Sequence, residues 1–308
     1  MLPTALHAQE YPKMGTTIRY VVPFPPGGLT DVMARQVGQQ LSRRWKVNVI
    51  VDNKPGGGGM IGADAVAKAR PDGTTLLAIT MTHAVNATLF RGKAPYDFEK
   101  DLKPVALLAG SAMLVVVPAT SPIRDLKTLI EHAKARSLNA GSSGNGTPPH
   151  LTLALFNNLT KSSIQHVPYM GGAPSMTDLM GGQLDVVFSN FPESIAHVKG
   201  GKLRALAITS KERHPQLPDV PTTAEAGLPE LQVENWTALM VPTATPDAVV
   251  ARLGAELVQI MAAAEMEEKA HTQGFRVDAR GPKEFAGFLD ADVQRWARLI
   301  ETAGIRPD

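Results

Sequence analysis

The chain has 308 residues, enough for one large domain or two modest lobes. Apolar residues make up 44%, which supplies a core and excludes wholesale disorder, while 31 basic against 29 acidic residues leave a net charge of +2 and no basic excess of the kind a general nucleic-acid binder needs. With no cysteine, disulfides, zinc–thiolate sites, iron–sulfur clusters and cysteine nucleophiles are all excluded.

Taken from the N-terminus, residues 1–14 read in two ways. Leu6 to Ala8 before Gln9 fits the tail of a cleaved secretory signal; an ordinary terminus fits as well. Ile18 to Val22 is a short apolar run ended by Pro23, a buried strand. The turn Phe24-Pro25-Pro26-Gly27-Gly28 follows, and Thr30-Asp31 opens a helix with Val32, Val37 and Leu41 at helical spacing. Val47 to Val51 is a second strand, a helix is expected around Ile61 to Ala69, and Thr75 to Thr80 is a third strand after the turn Pro71-Asp72-Gly73. The same grammar restarts with a strand at Ala112 to Val117, a helix at Asp125 to Ala135 and a strand end at Ala140. The apolar run there is broken by Pro118 and falls short of the roughly 20 residues a membrane-spanning helix needs. Gly141 to Thr147 then leads into a helix through Leu159. Ile164 to Val167, Val186 to Phe188 and Leu203 to Thr209 read as strands, with a helix at Ser175 to Met180. Thr245 and Pro246 read as N-cap and first turn of a helix carrying Val249, Leu253, Leu257 and Ile260, and Phe285 to Ile300 as a last amphipathic helix. Strands alternating with helices predict parallel sheets covered on both faces.

One internal echo stands out. Val22-Pro23-Phe24-Pro25-Pro26-Gly27-Gly28 and Val167-Pro168-Tyr169-Met170-Gly171-Gly172 each close a strand with Val-Pro-aromatic and then give two glycines. Each is followed by a helix start with a hydroxyl and an acid, Thr30 and Asp31 in one case, Thr177 and Asp178 in the other. Two similar strand-to-helix loops predict two lobes with similar edges, and ligands of open α/β sheets bind beyond the carboxyl ends of the strands. Three loops have unpaired N–H groups at a helix start: Phe24 to Thr30, Gly141 to Thr147 and Tyr169 to Ser175. None carries Lys or Arg, which suits a small carboxylate held reversibly by neutral dipoles better than a polyphosphate.

Other signatures fail. Gly57-Gly58-Gly59-Met60-Ile61-Gly62 fits Gly-x-Gly-x-x-Gly, but it follows the second strand and has Thr82 where a ribose-binding acid belongs. No Gly-x-Ser-x-Gly elbow occurs, and no histidine pair has metal-ligand spacing, so neither a cofactor nor a metal is expected. His83 and Asn190 lie at strand ends, where ligand contact competes with loop or capping duty. His150 reads as solvent-facing, and Trp236 as part of a crossover or of the core.

The motifs Val22-Pro23-Phe24-Pro25-Pro26-Gly27-Gly28-x-Thr30-Asp31, Asn53-Lys54-Pro55-Gly56-Gly57-Gly58-Gly59, Ser142-Ser143-Gly144-Asn145-Gly146-Thr147, His166-Val167-Pro168-Tyr169-x-Gly171-Gly172-Ala173-Pro174, Gly201-Lys202-Leu203-Arg204-Ala205-Leu206-Ala207 and Leu217-Pro218-Asp219-Val220-Pro221-Thr222 occur in order. Together they resemble the extracytoplasmic substrate-binding proteins of tripartite tricarboxylate transporters, the Bug family, from about Ile18 to Ile305. The resemblance implies a type II periplasmic binding-protein fold: α/β, two lobes each with a mainly parallel sheet flanked by helices, joined by two crossovers. It divides the chain into 15–115 with 237–308 as one lobe and 116–236 as the other. It implies a periplasmic monomer that captures a small organic acid in an interlobe cleft. The acid is a dicarboxylate, an amino acid or an aromatic acid, and it is delivered to membrane permease subunits. One carboxylate would be gripped by Phe24, Pro26, Gly27, Gly28 and Thr30, by Ser142, Ser143, Asn145 and Thr147, and by Tyr169, Gly171, Gly172 and Ala173; Thr82, His83 and Asn190 would set specificity. Leu29, Met81 and Pro148-Pro149 depart from the family pattern, and the first two would narrow the pocket. A carboxylate sensor feeding a two-component system, or an enzyme acting on a carboxylate, are the rival readings.

Overall fold

A computed structural model describes residues 11–27 and 29–306. In chain order, β1 (Thr17–Val22) leads to α1 (Leu29–Trp45), β2 (Asn48–Asn53), a single 3-10 turn (Gly57–Gly59) continuing as α2 (Met60–Ala67), β3 (Thr75–Thr80), α3 (Met81–Leu89) and the one-turn α4 (Phe98–Asp101). A long β4 (Leu102–Pro118) is followed by α5 (Leu126–Ala135), β5 (Asn139–Ser142), α6 (Pro148–Thr160), β6 (Gln165–Pro168), α7 (Gly172–Met180), β7 (Val186–Asn190), α8 (Phe191–Lys199) and β8 (Leu203–Ile208). The chain then runs through β9 (Glu234–Pro242), α9 (Asp247–Met261), α10 (Ala264–Thr272), β10 (Arg276–Arg280) and α11 (Pro282–Ala303). Among the described residues no helix is long and apolar enough to cross a membrane.

The chain divides into two compact units. Unit 1 takes the described residues up to Gly110, Trp236–Thr272 and Arg276–Arg298; unit 2 takes Ser111–Asn235, Gln273–Phe275 and the described residues from Leu299 onward. Two of the boundaries fall inside strands, within β4 and within β9.

In unit 1, β1 is the centre of a parallel trio, pairing Tyr20 with Val51 of β2 and with Leu76 of β3. Ile18, Tyr20, Val21 and Val22 are buried, as an apolar run covered on both faces requires. The buried stripe of α1 is Met33, Ala34, Val37 and Leu41, the i, i+3/i+4 spacing of a helix lying on a sheet; Val32, expected on that stripe, is half-buried. The sheet continues with antiparallel pairings that strand–helix alternation does not announce, Ala78 with Leu239 of β9 and Val277 of β10 with Ala109 of β4. Trp236 sits in the core of this unit. Its ring lies edge-on to Phe285 and Phe288, and its Nε1–H donates to Asp292 at 2.8 Å. At the start of α9 the cap lies one residue later than expected. Pro246 is the N-cap and Thr245 is buried before it, with its carbonyl accepting from Lys103 Nζ.

Unit 2 repeats the parallel trio around β5, with Gly141 paired to Val167 of β6 and to Val187 of β7. The second half of β4 runs antiparallel to β7 and to β8, pairing Val115 with Phe188 and with Ala207. Alternate residues of β4 supply two separate cores. Val115 and Val117 pack with Leu126 and Leu129 of α5 and Phe156 of α6, whereas Leu114 and Val116 pack with Met176 and Leu179 of α7 and Phe191 of α8. This two-sided burial explains why the strand reads as one uninterrupted apolar run. Its first half, which contains Lys103 and Pro104, does not read that way.

Candidate functional site

In unit 1 the loop after β1 is fixed by a carboxylate. Asp31, in the first turn of α1, is buried and accepts from the backbone N–H of Gly27 (2.9 Å), from Arg35 Nε and Nη2 (3.0 and 2.9 Å) and from Asn53 Nδ2 (2.9 Å). The Asn53 amide also donates to the carbonyl of Phe24 at 3.1 Å, so the end of β2 holds the loop from the other side. Burial by itself pushes the Asp31 carboxyl up. The hydrogen bonds from Arg35, Gly27 and Asn53 outweigh it and hold the group below the ordinary carboxylate range. Thr30 is buried beside it, while Pro26 and Gly27 are exposed. Gly28 lies outside the described residues, as do residues 1–10 of the N-terminal segment and the Leu29 side chain.

The glycine run that mimics a dinucleotide fingerprint has a conformational explanation. Gly56, Gly57, Gly58 and Gly59 all have positive φ (124°, 58°, 63° and 92°), a region that disfavours any residue with a Cβ. The run passes close over α3. Asn86 Nδ2 donates to the Gly58 carbonyl at 2.9 Å, and a Cβ at Gly59 would stand 2.8 Å from His83 Nε2.

Thr82 and His83 belong to the first turn of α3, not to a loop, and both are buried. His83 Nδ1 accepts the Thr80 N–H at 3.2 Å, and the Phe24 ring stands edge-on to the imidazole at 5.8 Å. Burial pulls its pKa down to about 4, against the opposing pull of the Thr80 and Gly59 backbone, so the ring is neutral and its proton sits on Nε2, on the side of Gly59. Met81 is fully buried.

In unit 2 two loops meet. The Tyr169 N–H donates to the Ser142 carbonyl at 3.1 Å, and a Cβ at Gly144 would press on the Tyr169 carbonyl at 3.3 Å. Ser142 Oγ is 2.6 Å from His166 Nε2 and accepts from the Gly144 N–H at 3.0 Å. Thr147 Oγ1 donates to the Gly144 carbonyl at 2.6 Å. His150 is half-buried rather than solvent-facing. Its Nδ1 accepts the Gly146 N–H at 3.1 Å and its ring stacks on His166 at 3.9 Å, because β6 runs beside β5 and brings His166 under the loop. Burial, helped by His166, lowers the His150 pKa to about 4, which leaves Nδ1 free to accept. Asn145 is half-buried in the same loop. Ser143 Oγ is buried and has no partner among the described residues.

The echoed aromatic is tied down as well. Tyr169 Oη donates to Asp178 Oδ2 at 2.6 Å, and this bond first of all pushes the phenol up to about 12. Gly171, with φ of 116°, is the N-cap of α7; Gly172 is its first residue and Ala173 is exposed. Asn190, buried at the end of β7, donates from Nδ2 to Glu193 Oε1 at 3.0 Å and accepts from Asn235 Nδ2 at 3.0 Å. Sequence reading did not reach Asn53, Glu193, Asn235 or the bracing role of His166. The Asp31–Arg35 spacing of four on one helix was the one local signal for the clamp. Chemically, each unit presents backbone N–H groups and hydroxyls next to a helix start, with Asp31 and Asp178 already engaged within their own units.

A family model described as the tripartite tricarboxylate transporter family receptor matches residues 33–305. BugT of Bordetella pertussis is 35% identical over 303 residues, which cover 97% of this chain and 92% of BugT. The solved structure of a periplasmic transporter is 36% identical, with a TM-score of 0.85 over 97% of this chain and 100% of that one. The R. palustris protein Rpa4515, solved with adipate, is 32% identical, with a TM-score of 0.86 over 97% of this chain and 100% of its own. These matches bear out the α/β periplasmic binding-protein fold. The chain belongs to the tripartite tricarboxylate transporter receptor family, a family of periplasmic, non-enzymatic solute-binding receptors.

Proposed function

We propose that this receptor captures a small organic carboxylate and delivers it, as a monomer, to the membrane permease subunits of a tripartite carboxylate transporter. The observation that carries this reading is the pair of strand-end loops built alike, one per unit. Each is stiffened by its own hydrogen bonds, from Gly27 and Asn53 in unit 1 and from Tyr169 in unit 2, and each presents neutral donors rather than cations. An anion held this way is bound by dipoles and released readily. In unit 1 the ligand meets the loop of Phe24, Pro26, Gly27, Gly28 and Thr30, in which Pro26 has no N–H and the Gly27 N–H is already given to Asp31. In unit 2 the donors come from Ser143 and Asn145 and from the backbone of Gly171, Gly172 and Ala173. Ser142, Thr147 and Tyr169 hold these loops in shape through bonds inside unit 2. The orphaned Ser143 hydroxyl is the side-chain donor with most to gain from a ligand. Thr82, His83 and Asn190 shape the remainder of the ligand's surroundings.

The test is thermal unfolding against a panel of organic acids and their neutral amides. An acid at 100 times its Kd adds about 2.7 kcal/mol and raises the melting temperature, whereas its amide leaves it unchanged. Equal stabilisation by acid and amide, or a non-acidic molecule released on denaturing the purified protein, overturns the reading.

A further inference from the structure

Glu193 sits in the first turn of α8 with its carboxylate against the start of α7, where a Cβ on Gly172 would collide with it. No cation pairs with it among the described residues. Its one hydrogen bond comes from Asn190 Nδ2, at 3.0 Å. Asn190 in turn accepts from Asn235, whose own Oδ1 is buried without a partner. The chain has a direction set by its end. A carboxylate only accepts, so Asn190 must turn its NH2 toward Glu193 and its oxygen toward Asn235, and Asn235 must use its NH2 on that oxygen. The cluster is therefore left with a carboxylate that has no cation and a buried Asn235 Oδ1 that has no donor among the described residues.

We infer that Asn190, Glu193 and Asn235 recognise a protonated amine on the ligand, making the cargo an amino acid rather than a plain mono- or dicarboxylate. The inference rests on the proposed carboxylate capture, because it places Glu193 beside a loop assigned to the ligand's carboxylate. A second anion next to that loop repels an acid that carries only carboxylates. An ammonium one or two bonds from the carboxylate reverses the sign, offering three donors and a charge to an unpaired carboxylate and an orphaned amide oxygen. Burial raises the Glu193 pKa, as expected of a carboxylate still lacking its counter-ion.

Isothermal titration with matched pairs decides the matter: aspartate against succinate, glutamate against glutarate, and phenylalanine against 3-phenylpropionate. The expected result is at least one aminated acid binding ten-fold or more tighter than its partner, with Glu193→Gln abolishing that preference while the variant melts as the wild type does. A deaminated acid that binds the wild type as tightly as its aminated partner overturns the inference and leaves carboxylate capture standing. If no acid of either kind binds and the molecule released from purified protein has no carboxylate, both fall. Should Glu193→Gln not fold, the wild-type ratio within each pair decides alone.

Discussion

Asp31 and Asp178 follow the two echoed loops in sequence, but Asp31 lies in the first turn of α1 and Asp178 in the last turn of α7, and each solves a different local problem. Asp31 has no tyrosine to hold and closes on the Gly27 N–H, with Arg35 neutralising it and Asn53 donating a further hydrogen bond. Asp178 instead receives the phenol of Tyr169. Replacing Asp31 with Ala removes the charged acceptor shared by Gly27, Arg35 and Asn53, a loss of about 1–3 kcal/mol that urea unfolding reads directly. The pH dependence has a definite sign. The folded pKa of Asp31 lies below its unfolded value, so its stabilisation is present above the ordinary aspartate pKa and fades as pH falls through the folded value. A wild-type stability curve matching that of Asp31→Asn throughout the acid range would remove the clamp from the account. For Tyr169 the readout is optical: phenolate absorbance should appear only near pH 12, and Asp178→Asn should bring it back toward the ordinary tyrosine value. The sequence places both acids at helix starts, which holds for Asp31; α7 begins at Gly172, earlier than the expected Ser175, so Thr177 and Asp178 fall in its last turn. Their partners were hidden, since Asn53 reaches Asp31 only through the parallel pairing of β1 with β2.

Among the elements, α3 is the instructive omission. Met81 to Asn86 is buried on every side, so no apolar stripe marks it as a helix, and His83 reads as part of a loop. The glycine run is the counterpart. Its length was visible and its purpose was not, because positive φ and the approach to His83 are properties of two segments together. Gly59→Ala should therefore cost about 1–3 kcal/mol, through strain at φ 92° and through the Cβ pressing on the imidazole. An unchanged melting temperature would show that the run yields freely. The same histidine makes the fold acid-sensitive. Between the ordinary histidine value and about 4 the unfolded chain takes up a proton that His83 refuses, so stability falls as pH drops through that window, by on the order of 3 kcal/mol. His83→Gln should flatten that part of the curve. Strand–helix alternation made the parallel trios of both units legible. It gave no sign of β9, β10 or the first half of β4, which join antiparallel without a crossover helix.

For the whole molecule, the motifs carry the family clearly because they are the loops themselves, whose glycines and prolines are dictated by backbone geometry. The ligand is less legible, since it depends on side-chain networks such as Asn235–Asn190–Glu193 that join residues 45 positions apart. If one ligand draws donors from both units, injury to either loop must appear in one affinity. Ser143→Ala removes a donor in unit 2 and should weaken binding about five-fold, the equivalent of one hydrogen bond. Asp31→Ala removes no proposed ligand contact but releases the unit 1 loop, and should weaken binding about ten-fold by making the ligand order what the carboxylate had ordered beforehand. The two sites share no hydrogen bond, so the double variant should show the product of the two effects, provided the ligand is what couples them. Titration calorimetry on the four proteins settles this. Full wild-type affinity in Asp31→Ala, with loss confined to Ser143→Ala, would assign the ligand to unit 2 alone and leave the echoed loop of unit 1 a purely structural repeat.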